Sequence, residues 1–290
     1  MTRTGVSLAC HRQGTGDGTP VVLVHGGGVD SSFFAATAEI LARRRVVVSY
    51  DRRGYGESGD PADGDWSTNA QVGDLAAVCE AAGAGGRVVL AGHSLGGGIA
   101  LWLAEAQPGL IGALVLHEPV GWEGPGSAEG RSADWAAIAR LAASGDTTGA
   151  IIAALRLQGE PDPAAPPLTE AEVAHVDRNL ATMVTHDVAG IAGGVDLGAV
   201  RIALQGIPVG VSSGELSRGT AAETAGAAVA TALGCPLTVV PGAHNSPRDR
   251  PERFARLADQ LAAAQHAVEP DTPEKEAMTT PQPTGSRGVR

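Results

Sequence analysis

Val88-Val89-Leu90-Ala91-Gly92-His93-Ser94-Leu95-Gly96-Gly97-Gly98 is the stretch on which the fold turns. Four apolar residues run into Gly-x-Ser-x-Gly and then into small residues suited to a closely packed helix, so the pattern predicts a strand, a sharp reversal and a helix. At such a reversal the serine takes crowded backbone torsions, and the residues two before and two after it must lack a side chain. Gly92 and Gly96 meet that demand. The turn lifts the Ser94 hydroxyl above the sheet edge and leaves the Leu95 N–H at a helix N-terminus, where a developing oxyanion is stabilised. Gly-x-Ser-x-Gly can arise by chance in a chain with 41 glycines. The flanking strand and helix supply the context that makes it a nucleophile elbow.

Outward from the elbow, short apolar runs alternate with longer helical patterns, the signature of a mostly parallel sheet with crossover helices. Strands are predicted at 20–24, 45–49, 87–91, 113–116, 208–212 and 237–240, and helices at 33–41, 69–82, 97–106 and 251–264. Between His117 and Val200 the pattern changes to helix-like stretches at 133–143, 147–157 and 169–186, broken by Gly124-Pro125-Gly126 and by the run 160–167, with no convincing strand. A helical insert between two sheet strands sits over their carboxyl edge, where open α/β sheets place their ligands, and so reads as a cap. From about Val268 the composition shifts to Pro, Thr, Glu, Gly and Arg, the signature of a disordered tail. The expected division is a first core part at 1–120, a helical cap at 121–195, a second core part at 196–266 and the tail at 267–290.

A chain of 290 residues, 43% hydrophobic, can bury one sizeable core, and a single catalytic domain is expected. Its 21 basic against 32 acidic residues give a formal charge of −11, which repels nucleic acid and anionic membranes, so neither is an expected partner. Lys275 is the only lysine; the arginine, alanine and glycine bias reads as codon usage rather than function. The first ten residues lack the apolar core of a signal peptide, and no run approaches the roughly 18 apolar residues of a membrane span, so a soluble, cytoplasmic protein is expected. Cys10, Cys79 and Cys235 are widely separated and lack metal-ligand spacing, which predicts buried, reduced thiols and no metal site. Oligomeric state is not legible.

Four segments carry a family resemblance. They are Val-Leu-Val-His-Gly-Gly-Gly at 22–28, Asp-Arg-Arg-Gly-Tyr-Gly-Glu-Ser at 51–58, Gly-His-Ser-Leu-Gly-Gly at 92–97 and Pro-Gly-Ala-His-Asn at 241–245. In this order and spacing the chain resembles the capped α/β-hydrolase fold enzymes over roughly residues 19–264. The resemblance implies that the Gly27 N–H supplies a second oxyanion donor beside Leu95, with Gly28 as the alternative if the loop folds differently. His25 and His93 read as supporting residues. The segment 51–59 is diagnostic of the family but not catalytic in it, with Asp51 and Arg52 in ordinary polar contacts.

In the family order of serine, acid and histidine, His244 is the general base, because it follows the last apolar strand and precedes the final helix. A neutral imidazole within hydrogen-bond reach is what turns a serine hydroxyl into a nucleophile. His11, His117, His175, His186 and His266 have no such context. The acid departs from the common pattern. Most relatives carry Gly-x-x-Asp after the family's seventh strand, whereas Gly214-Glu215-Leu216-Ser217 has serine in that place, and serine cannot hold an imidazolium by charge. Two carboxylates are candidates: Glu118, ending the family's sixth strand in Leu116-His117-Glu118-Pro119, and Glu215. The chain resembles a group of haloalkane dehalogenases in having a glutamate at the first position, and Glu118 is the favoured acid. A triad without an acid is the remaining alternative.

A serine nucleophile argues against the epoxide and haloalkane chemistry of this fold, which needs a carboxylate to attack carbon. Acyl transfer remains, on a small-molecule ester, thioester or lactone, with no cofactor and no metal. Trp122, Trp135, Met183 and the Ile151-Ile152 pair are candidates to line an apolar substrate pocket in the cap. Family members resembling cofactor-free haloperoxidases or perhydrolases, carbon–carbon bond hydrolases and lyases use the same triad and are alternatives. A non-catalytic ligand-binding protein on a hydrolase scaffold is the alternative from a different class.

Overall fold

The computed structural model describes residues 5–121, 137–138, 140–141, 143–157, 170–187 and 194–266. Seven strands form one sheet: β1 (Cys10–Gln13), β2 (Gly18–Val24), β3 (Arg45–Tyr50), β4 (Val88–His93), β5 (Ile111–His117), β6 (Val209–Gly214) and β7 (Leu237–Val240), in the spatial order β1-β3-β2-β4-β5-β6-β7. β1 pairs antiparallel with β3, and the other pairings are parallel. This is the α/β architecture the apolar periodicity predicts, and the six predicted strands each fall within or beside an observed one.

The parallel strands are near-continuous apolar runs because helices cover both faces of the sheet. β2 shows the division residue by residue: Val22 and Val24 point into one core cluster, Val21 and Leu23 into the other. The first cluster packs against α2 (Thr68–Gly83), α3 (Leu95–Ala106) and α7 (Ala221–Leu233), and the second against α1 (Ala35–Ala42) and α9 (Pro251–His266). Between them in chain order lie α4 (Thr147–Leu157), α5 (Glu170–Thr182), α6 (Leu197–Ala203) and α8 (Ser246–Asp249).

Sequence periodicity missed four of these elements for identifiable reasons. All four residues of β1 are exposed, so no apolar run marks it; its backbone pairing with β3 makes it a strand. α7 is a run of Ala, Gly and Thr whose start is set by a capping pattern, Thr220 Oγ1 accepting from the Glu223 N–H at 3.2 Å. α6 begins where the Asp196 carboxylate accepts from Gly198 and Ala199 N–H. α8 is a single turn. One correction concerns the thiols: Cys79 is buried, but Cys10 is exposed on β1 and Cys235 is half-buried, all three being free.

Between β5 and β6 the described residues form helices joined by turns, with α5 running into a five-residue π turn, Met183–Asp187. This stretch is bound to the core loops by Asn179 to Asp30, by the Thr182 hydroxyl to the Gly54 carbonyl, and by Arg178 to the carbonyls of Gly56 and Ser58. Trp122, Trp135, most of the predicted 133–143 helix and the 267–290 tail lie outside the described residues.

Candidate active site

The elbow forms as its glycines require. Ser94 has φ 53° and ψ −126°, a conformation that side-chain-bearing residues seldom hold and that costs on the order of 1–3 kcal/mol. The turn can be this tight because a Cβ on Gly92 would stand 2.7 Å from the Gly97 Cα, and one on Gly96 2.3 Å from the Val24 carbonyl oxygen. Ser94 is therefore the N-cap of α3, with the Leu95 N–H at the positive end of its dipole. The Ser94 N–H donates to the His117 carbonyl, and the Ser94 carbonyl accepts from Val120, so the elbow and the loop after β5 hold each other.

That loop carries the second strained residue. Glu118 has φ 42° and is fully buried. Its Oε2 lies 2.7 Å from His244 Nδ1, while Oε1 accepts from the Ser213 hydroxyl at 2.6 Å and the Gly214 N–H at 2.8 Å. Ser213 and Gly214, at the end of β6, thus supply two donors to a carboxylate that follows the neighbouring strand β5. Burial pushes the Glu118 carboxyl up, but the hydrogen bond and charge of His244 outweigh it and bring the group down to about 2. An ionised carboxylate can only accept, so the shared proton belongs to His244 Nδ1 and a neutral imidazole carries its lone pair on Nε2. His244 Nε2 is buried without a hydrogen-bond partner among the described residues.

The other candidate acid stands elsewhere. Glu215 is exposed in the short turn after β6. Ser217, at the vacated aspartate position, is buried with its hydroxyl unpartnered among the described residues. His93 ties nucleophile strand to base loop, its Nε2–H donating to the His244 carbonyl at 3.0 Å, and its ring stacks on Phe33. Burial holds the His93 ring neutral.

The loop after β2 closes the site from the other side. A Cβ on Gly26 would stand 2.8 Å from Ser94 Cβ, so only glycine lets the backbone pass there. A Cβ on Gly27 would meet Met183 Cγ and Sδ at 2.8 Å, which places the buried Met183 directly over this loop. Met183 also packs with Tyr55, Ile138, Ala150 and Leu180.

A polar cluster that residue types alone did not suggest lies beside it. Arg52, buried, donates from Nη2 to Asp187 Oδ2 at 2.7 Å and to the Gly26 carbonyl at 2.9 Å, and from Nη1 to Asp187 Oδ1 and Gln71. The Tyr55 hydroxyl donates to Asp187 at 2.5 Å. These are stronger than the ordinary polar contacts expected for Arg52. Asp187 is 135 residues away in sequence and carries no local signal. Among the described residues no group of three or more His, Cys, Asp or Glu side chains could hold a metal ion, and no helix is long and apolar enough to cross a membrane.

A mostly parallel sheet flanked by helices, with a serine in a tight strand-to-helix turn at the end of a central strand, is the α/β-hydrolase fold. The family model for the alpha/beta hydrolase fold matches residues 19–145. Over 106 residues the chain is 37% identical to a protein of Klebsiella pneumoniae (strain 342) named carbamate hydrolase RutD, covering 36% of this chain and 39% of that one. Over 122 residues it is 36% identical to the non-heme chloroperoxidase of Streptomyces lividans, covering 41% and 43%. The match spans about two-fifths of either relative. A thermophilic esterase from Thermogutta terrifontis superposes with a TM-score of 0.68 at 24% identity, over 90% of this chain and 94% of that one.

Proposed function

We propose that the protein is a serine hydrolase that cleaves an ester, thioester or lactone of a small molecule through a Ser94–His244–Glu118 triad. The observation that carries this reading is the 2.7 Å contact between Glu118 and His244 Nδ1, which leaves Nε2 as the free lone pair of a buried imidazole. Ser94 Oγ attacks the carbonyl carbon while its proton passes to Nε2; the Leu95 and Gly27 N–H groups hold the oxyanion. The imidazolium, stabilised by Glu118, then protonates the leaving group, and the ester to Ser94 remains. Water repeats the sequence: it loses a proton to His244, displaces Ser94 and releases the acid.

The helical stretch between β5 and β6 acts as the cap. Met183 lines the acyl side of the pocket over Gly27. Glu215, being exposed, has no part in the triad. The similarity to a chloroperoxidase favours a second reading, in which the same serine and histidine use peroxide in place of water.

Reaction with a fluorophosphonate probe and hydrolysis of short-chain nitrophenyl esters, in the wild type and Ser94→Ala, test the proposal. Labelling and turnover lost together in the variant are the expected result. Absence of both in the wild type overturns it and turns attention to a ligand-binding role, while peroxide-dependent halogenation without ester turnover supports the second reading.

A further inference from the structure

The cluster around Arg52 sits behind the glycine loop, and its contacts converge on one atom. The Gly26 carbonyl accepts from Arg52 Nη2 at 2.9 Å and from His25 Nδ1–H at 2.8 Å. His25 can serve as that donor because its Nε2 accepts from the Arg52 backbone N–H at 3.0 Å, which fixes the tautomer. The Gly26 carbonyl and the Gly27 N–H are the two ends of one planar, trans peptide, so they point in opposite directions. Whatever grips the carbonyl therefore aims the N–H. Arg52 in turn is held by both oxygens of Asp187, which lies in the π turn that also carries Met183.

The geometry points to Arg52 and Asp187 as positioning residues that aim the Gly27 N–H into the oxyanion hole, and to the Met183–Asp187 turn as the element that couples the insert to that donor. The inference rests on the proposed hydrolase reading for the role of the Gly27 N–H. It extends that reading to a segment about ninety residues after the nucleophile. A cationic guanidinium on the carbonyl also polarises the peptide and strengthens its N–H as a donor. Arg53 supplies the internal comparison. Its Nε lies 2.7 Å from Asp74, equally buried and one residue along the same loop, but its other contacts go to the carbonyls of Asp65 and Ala70 rather than to Gly26.

The test uses full-length protein labelled with ¹⁵N-glycine, the Gly27 amide being identified by its loss in Gly27→Ala. In Arg52→Met and Asp187→Asn the Gly27 amide resonance is expected to shift, kcat on a nitrophenyl ester to fall roughly 10- to 100-fold, and KM to stay within about threefold. Affinity for a trifluoromethyl ketone, whose adduct occupies the oxyanion hole, should fall in parallel. In Arg53→Met the protein should lose stability while the Gly27 amide and kcat hold. If Arg52→Met fails to fold because Asp187 is left as an unpaired buried charge, Arg52→Met/Asp187→Asn removes that charge and reports the same amide. A Gly27 amide that does not move in these variants, or that moves equally in Arg53→Met, overturns the clamp. A wild type without esterase activity whose Gly27 amide still responds to Arg52→Met overturns the hydrolase reading and leaves the clamp standing.

Discussion

His244–Glu118 and Arg53–Asp74 are both buried pairs in contact at 2.7 Å, with side chains no more than 3% exposed, yet they are built from different chemistry. The first joins two strand ends at the candidate site and pairs a carboxylate with a base that can carry or lose a proton. The second braces a core loop and pairs a carboxylate with a guanidinium that is charged at any accessible pH. A pair that changes charge in each turnover has to have a partner with two protonation states. One that only holds a loop is better served by a partner with a single state. The strain is distributed in the same way: Glu118 holds a positive φ, whereas neither Arg53 nor Asp74 does.

Breaking the first pair should give the largest effect. Glu118→Ala is expected to lower turnover roughly 10³- to 10⁴-fold, as when a triad base loses its orienting anion, with Ser94-dependent labelling slowed in proportion. Steady-state kinetics on a nitrophenyl ester check it; a loss below tenfold would dissolve the distinction drawn between the pairs.

Arg53→Met should act on stability instead, by about 3–5 kcal/mol, because it removes the guanidinium paired with the buried Asp74 carboxylate. Urea unfolding measures that loss, and turnover below the unfolding transition should remain that of the wild type.

A third comparison sets the permanent charges against the buried neutral histidines. Burial pushes His25 and His117 down to about 4. In the unfolded chain each takes a proton below about 6.5, but in the fold only below about 4. Between those values unfolding takes up protons, so stability falls as pH drops from 6.5 towards 4, by about 3 kcal/mol for each ring across the whole window. Glu118 works in the next window, its contribution being present above 4.5 and lost as pH falls through about 2. Urea midpoints measured from pH 7 to pH 4 should decline steeply, and a flat profile would contradict the neutral assignment of these rings.

The smallest effect is expected at the alternative acid. Glu215→Ala should leave turnover within about twofold, since its side chain is exposed and outside the Glu118–His244 contact. A loss approaching that of Glu118→Ala would move the acid to the turn after β6.

Several of these features were readable along the chain. Residues 88–98 specified strand, elbow and helix because their demands are local: a continuous apolar run, two missing Cβ atoms and a helix start. His244 was singled out as the candidate base by its place between the last strand and the final helix. Residues 214–217 show in sequence that serine stands where the family pattern has aspartate, and the sequence offers Glu118, the favoured candidate, and Glu215 in its place, but not which of them meets His244.

The sequence by itself determined the mostly parallel sheet and the tight strand-to-helix turn at Ser94, and narrowed the candidate acid to two carboxylates, since each rests on a short stretch whose periodicity or sterics act over a few residues. The tertiary structure alone decided that Glu118 rather than Glu215 meets His244, because β6 lies between β5 and β7 and lends Ser213 and Gly214 to the glutamate. It alone joined Arg52 to Asp187 across 135 residues, since a buried charge is paired by proximity in space, and sequence separation places no bound on that.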